Sequence, residues 1–187
     1  HALFGTHNRL LRLDGAERAY LEVIAINPAA RPTRAHPLKR WFDFDDPALR
    51  ERLQRQGPQV IHWVARVDDI EAARRAWLAL GLDPGPVLTA SRDTPRGLLQ
   101  WRITVRDDGA RLFDGVLPTL IQWSGPHPAH TLPESGLRLQ GLGLAHPQAV
   151  AVHTALAAIG LHAQAVDNGE PAITPRLFDR EQARELR

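Results

Sequence analysis

The chain of 187 residues has no cysteine, no methionine and one lysine, Lys39, among its 23 basic residues. Without cysteine there are no disulfides, no cysteine-ligated zinc and no thiol nucleophile, which fits a reducing compartment, and a cytoplasmic location is expected. No run approaches the ~20 apolar residues of a membrane-spanning helix, so no membrane partner is expected. Basic charge is not gathered anywhere: arginines run from Arg9 to Arg187 and the net charge is +2. A nucleic-acid face needs clustered cations, often with interleaved aromatics, so nucleic acid is not expected as a partner. No secretion signal is visible, and the sequence starts mid-pattern at His1. What remains is ordinary for a globular protein, 43% hydrophobic and 24% charged, with enough length for one good core or two small modules sharing one.

Residues 60–82, VIHWVARVDDIEAARRAWLALGL, organise the reading. Val60, Ile61, Trp63, Val64 and Val67 favour a strand. Asp68 and Asp69 end it and supply N-cap oxygens. Ile70, Ala73, Trp77 and Leu80 recur at helical spacing, and Gly81 stands where a helix ends in the left-handed region. A shift of 79 positions places Gly160-Leu161 on Gly81-Leu82 and Leu156 on Trp77. A strand, a polar corner and a helix ending in Gly-Leu return there, as in an internal repeat. His62 falls on Gly141, so any role of the histidine belongs to the first copy alone.

Upstream, Asp14-Gly15 is a hairpin signal between strand-like residues 8–13 and 20–26. Alternation puts Tyr20, Glu22 and Ile24 on one face. A carboxylate in the middle of an apolar strand is costly unless it is solvated, paired or bound to a metal. Two readings stay open: an edge glutamate facing water or paired with an arginine such as Arg66, or a ligand or base inside a cavity. A short helix is expected at Pro47–Gln56, capped by Asp45 or Asp46, behind Trp41, Phe42 and Phe44, which read as anchors for a linker. Strands are expected at 87–89, 98–105 and 117–123, with a loop at 91–97. A last unit follows, with strands at 137–144, 161–166 and 172–177, a helix at 148–159, and a helical end in the charged tail 179–187. Trp101 and Trp123 read as core residues that also have the shape to stack on a ligand.

The motifs GTHNRLLRL, RAYLEVIAINP, IHWVARVDDIEAA, SRDTPRG, LLQWRIT and LPTLIQW together resemble the glyoxalase-like domain family of the vicinal oxygen chelate superfamily. The resemblance implies an α+β fold of paired βαβββ modules in cupped, curled mixed sheets, with a partial third βα unit. Residues 1–58 would be the first module and linker, its first strand and helix preceding His1. Residues 59–125 would be the second module, and 136–187 the partial unit. It also implies a small oxygenated ligand in the sheet cavity and two functional readings. One is a metal-dependent lyase or isomerase, the other a non-catalytic binding or resistance protein. Carried over by position, Glu22, His62 and Gln122 would ligate a divalent transition metal (Zn, Ni, Mn, Fe or Co), with Glu22 also the catalytic base. Thr6, Asn8, Arg92, Trp101 and Arg102 would bind substrate, the arginines through their planar forks. A homodimer is the expected assembly for such sheets.

Overall fold

Two aspartates set where helices begin. In the computed structural model, which describes residues 1–94, 97–179 and 183–185, Asp46 accepts from the Ala48 N–H at the start of α1 (Pro47–Gln56). Asp69 accepts from the Ala72 N–H at the start of α2 (Ile70–Ala79). These bonds satisfy amide donors that have no partner inside the helix. Gly81 takes φ +75°, and the Leu82 N–H turns back onto the Trp77 carbonyl at 2.9 Å. The helix α3 (Ala149–Ala158) stands 79 positions after α2 at both ends. Gly160 and the bond from Leu161 to the Leu156 carbonyl, 3.0 Å, repeat the same ending. The beginnings differ: no side chain of the N-cap residue Gln148 bonds α3.

A hairpin of β1 (Thr6–Arg12) and β2 (Tyr20–Ile26) opens the chain. The next sheet has β3 (Val64–Arg66), β4 (Val87–Thr94), β5 (Gly97–Thr104) and β6 (Thr119–Ser124) in the order β3-β6-β5-β4. Strands β3 and β6 are parallel, and the other pairs are antiparallel. With α2 between β3 and β4, this is one complete βαβββ module. The last sheet is β7 (Arg138–Ala145), β8 (Ala172–Phe178) and β9 (Ala183–Glu185), all antiparallel. The hairpin meets it where the Asp14 N–H donates to the Leu137 carbonyl at 2.6 Å. The architecture is the expected α+β arrangement of curled sheets.

Several local expectations need correction. Residues 60–63 are not strand, so His62 precedes β3 instead of lying on it. Strand β4 runs through residues 91–94, which had read as loop, because it pairs with β5 as far as Thr94 opposite Gly97. Residues 161–166 form a turn and irregular chain. There the Gln164 side chain, in place of a backbone ladder, donates to the Leu142 carbonyl at 2.9 Å. In the tail, expected to be helical, residues 183–185 pair with β8 as a strand; residues 180–182 and 186–187 lie outside the described residues.

Two hydrophobic cores lie on opposite faces of the four-stranded sheet. One joins α2 and β6 to α3 and β7 through Ile70, Trp77, Leu120, Leu144, Val152 and Leu156. Trp77 is fully buried there, and its indole N–H donates to the Ala155 carbonyl of α3 at 2.7 Å. The other holds Trp101, Ile103 and Ile121 of the sheet against Phe4, Trp41, Phe42 and Phe44. Trp41 stacks on Phe4 and Phe42 with ring centroids 4.0 and 4.8 Å apart. The aromatic triplet therefore anchors the linker, as its clustering suggests. Gly109 makes the approach possible, since a Cβ there would fall 1.9 Å from the Arg40 carbonyl oxygen.

Candidate functional site

The hairpin lies over the sheet face opposite α2, and a cavity of about 40 Å³ remains between them. That is space for roughly three waters. Alternation along the hairpin turns Asn8, Leu10, Tyr20 and Glu22 into it, and the sheet contributes Arg92, Leu99, Trp101, Ile103, Ile121 and Trp123. Leu10 sits directly across from Glu22, and Asn8 is diagonal to it. The cavity is thus walled by apolar and aromatic groups around a small polar cluster.

Asn8 is the centre of that cluster. Its Oδ1 accepts from Arg92 at 2.9 Å. Its Nδ2 donates to Glu22 Oε1 and lies 3.1 Å from His1 Nε2. Because an amide nitrogen only donates, His1 Nε2 is the acceptor. The His1 ring stands edge-on to Trp41 and Trp101 at 4.8 and 5.7 Å, with Nε2 3.8 Å from Glu22 Oε1. Burial pushes the Glu22 carboxyl above its ordinary range, partly offset by the Asn8 hydrogen bond and the Arg92 charge. Burial also pushes the Tyr20 phenol up, and the Glu22 charge adds to it. A carboxyl so placed holds or releases a proton more readily near neutral pH than an exposed one does.

Of the expected substrate residues, Asn8, Arg92 and Trp101 line this cavity. Thr6 shares the Asn8 face but lies outside the lining, 4% exposed, with no partner for its hydroxyl oxygen among the described residues. Arg102 is on the other face of the sheet. Adjacent strand residues point opposite ways, so Trp101 in the cavity places Arg102 beside α2, where it pairs with Glu71. His1 and Tyr20 also belong to the site. Tyr20 was legible from its alternation with Glu22. His1 carries no spacing signal, because a short turn at Ala2–Phe4 brings it back over the hairpin.

The expected metal ligands are not brought together: Glu22, His62 and Gln122 line three different cavities. His62 Nδ1 is 3.0 Å from the Gly115 carbonyl and must carry the proton. Nε2 then accepts from both the N–H and the hydroxyl of Thr119, at 3.1 and 2.9 Å. Neither ring nitrogen has a lone pair left for a metal. Burial, aided by the Arg111 charge and opposed by the Gly115 bond, lowers the His62 pKa to about 3. Gln122 is equally committed. Its Oε1 accepts from the Ile70 N–H at the start of α2 at 3.2 Å, and its Nε2 donates to the Asp68 carbonyl at 2.8 Å. Among the described residues, no group of three or more His, Asp or Glu side chains is placed to hold a metal ion. The three residues therefore do not fit a shared transition metal.

A βαβββ module with this strand order is the unit of the vicinal oxygen chelate class of fold. The model of the glyoxalase-like domain matches residues 1–160, and the chain belongs to that family. Comparison with curated proteins and with solved structures found no match. No helix among the described residues is long and apolar enough to cross a membrane.

Proposed function

We propose that the protein binds a small oxygenated molecule in the cavity between the hairpin and the sheet. Glu22 handles a proton there, Arg92 holds a substrate oxygen, Asn8 fixes the Glu22 carboxyl, and Trp101 and Trp123 are the walls. The observation that carries this reading is the Glu22 carboxyl, half-buried among aromatics and hydrogen-bonded by an asparagine that is itself fixed by an arginine. A charge in such surroundings is retained at a cost to stability, which is the usual signature of a functional group. The cysteine-free composition supports a reducing compartment such as the cytoplasm for this activity.

The test is a tryptophan-fluorescence titration with 2-oxoaldehydes, 2-oxo acids and 2-hydroxy acids, alongside a turnover assay on the same compounds. Binding with turnover that Glu22→Gln abolishes, while binding survives, assigns a lyase or isomerase with Glu22 as its base. Binding without turnover assigns the non-catalytic reading. No saturable signal from any compound rejects the cavity as the site. Elemental analysis of the protein purified without chelator checks the metal disagreement. Stoichiometric transition metal lost in both Glu22→Ala and His62→Ala would overturn it.

A further inference from the structure

A second cavity, of about 130 Å³, lies beyond Trp123 at the end of β6. Arg18 of the hairpin loop, Arg66 of β3, and His127 and His130 of the connector after β6 line it. These four come from three separate parts of the chain, so no local sequence pattern forces them together. One carboxylate, Asp68, also faces the cavity, and its Oδ1 takes one donor of Arg66 at 2.7 Å. Among the described residues, Arg18 pairs only with Glu17, at 3.8 Å, and the Glu17 side chain is 85% exposed.

The decisive group is His127, which is 5% exposed. Its Nδ1 accepts from the Ala129 N–H at 3.2 Å, so the ring proton sits on Nε2. No described residue accepts from that Nε2–H. The rings of Tyr20, Trp123 and His130 pack around the imidazole, their centroids 5.6, 5.3 and 6.0 Å from its own. An unpaired ring donor on a cavity wall that also carries two arginines suits an anion. The electrostatics agree: burial, then the charges of His130, Arg18 and Arg66, lower the His127 pKa to about 4. The surroundings thus repel added positive charge and favour a negative one.

We propose that this cavity is a binding site for a small oxyanion, a carboxylate or a phosphate group, held by Arg18, Arg66 and the Nε2–H of His127. It is separate from the Glu22 cavity and does not depend on the function proposed for it. Trp123 is the wall common to both.

The test is a titration of the full chain at pH 7 and constant ionic strength with inorganic phosphate, and in parallel with acetate, followed by the His127 and His130 imidazole NMR signals. Saturable shifts are expected. Arg18→Gln and Arg66→Gln should each weaken binding about tenfold, the equivalent of one charge-assisted hydrogen bond. Tighter saturation by acetate assigns a carboxylate ligand, and tighter saturation by phosphate a phosphorylated one. Arg50→Gln, on the exposed side of α1, should change nothing. Absence of saturation overturns the proposal. So does unchanged affinity in the Arg18→Gln/Arg66→Gln double variant, or an equal loss in Arg50→Gln, which would indicate only diffuse charge. Glu22→Gln should leave phosphate and acetate binding intact, which separates failure here from failure of the Glu22 cavity.

Discussion

The two faces of one four-stranded sheet have different contents. On the α2 side, Leu120 meets Ile70, Trp77 and, through α3, Leu156, in an apolar core. On the hairpin side, Trp101, Ile103 and Ile121 meet an aromatic cluster that is equally apolar in parts but encloses Glu22, Asn8 and Arg92. The first face is filled to hold the modules together. The second leaves a space and puts a carboxyl in it. Removing atoms from the first should cost stability, whereas removing the charge from the second should increase it.

The largest effect is expected at Trp77. Truncation to alanine empties a fully buried site and removes the bond to Ala155, so Trp77→Ala should destabilise by about 3–5 kcal/mol. Chemical denaturation measures it, and a loss under 1 kcal/mol would mean that α2 and α3 do not share a core.

His62 comes next, and it is visible without mutation. Its folded pKa of about 3 lies below its ordinary 6.5, so the unfolded chain takes up the proton first. The contribution is complete above pH 6.5 and is lost as pH falls toward about 3, at up to about 1.4 kcal/mol per pH unit. His62→Gln should flatten that part of the stability profile. An unchanged profile would show that the ring is not held neutral between Gly115 and Thr119.

Gln122 ties β6 to the first turn of α2. Gln122→Ala should cost about 1 kcal/mol, the usual value of a lost helix cap. Hydrogen exchange of the Ile70 amide would report the same bond directly.

The smallest effect has the opposite sign. Glu22 is held above its ordinary pKa, so its ionisation opposes folding at neutral pH. Glu22→Gln keeps an acceptor for Asn8 and removes the charge. The variant should melt at a higher temperature than the parent at pH 7, with the gap closing as pH falls and Glu22 protonates. A lower melting temperature at pH 7 would mean that the Arg92 and Asn8 contacts outweigh burial.

How much was legible depends on how local each cause is. The helix α1 follows from Pro47 behind an aspartate, and the repeat was readable because Gly81 and Gly160 end their helices by the same backbone turn. The face shared by Tyr20 and Glu22 follows from alternation, and the hairpin register brings Asn8 onto it. His62 was misleading because its partners, Gly115 and Thr119, are more than fifty residues away. Gln122 was misleading for the same reason, since nothing near it in the chain shows that Ile70 needs an acceptor. Arg102 could have been excluded by the alternation that placed Trp101. His1, Arg18 and His127 reach their sites only through turns that the sequence leaves unspecified.

By itself, then, the sequence determined where helices start and stop, which residues of one strand share a face, and that one carboxylate stands in the middle of an apolar strand. Those are consequences of bonds and periodicities within a few residues. The tertiary structure alone decided which polar groups meet: it used the lone pairs of His62 and the amide of Gln122 for the scaffold and turned Asn8 and Arg92 toward Glu22. A side chain's chemistry depends on which hydrogen-bond partners remain for it after folding, and those partners come from distant parts of the chain.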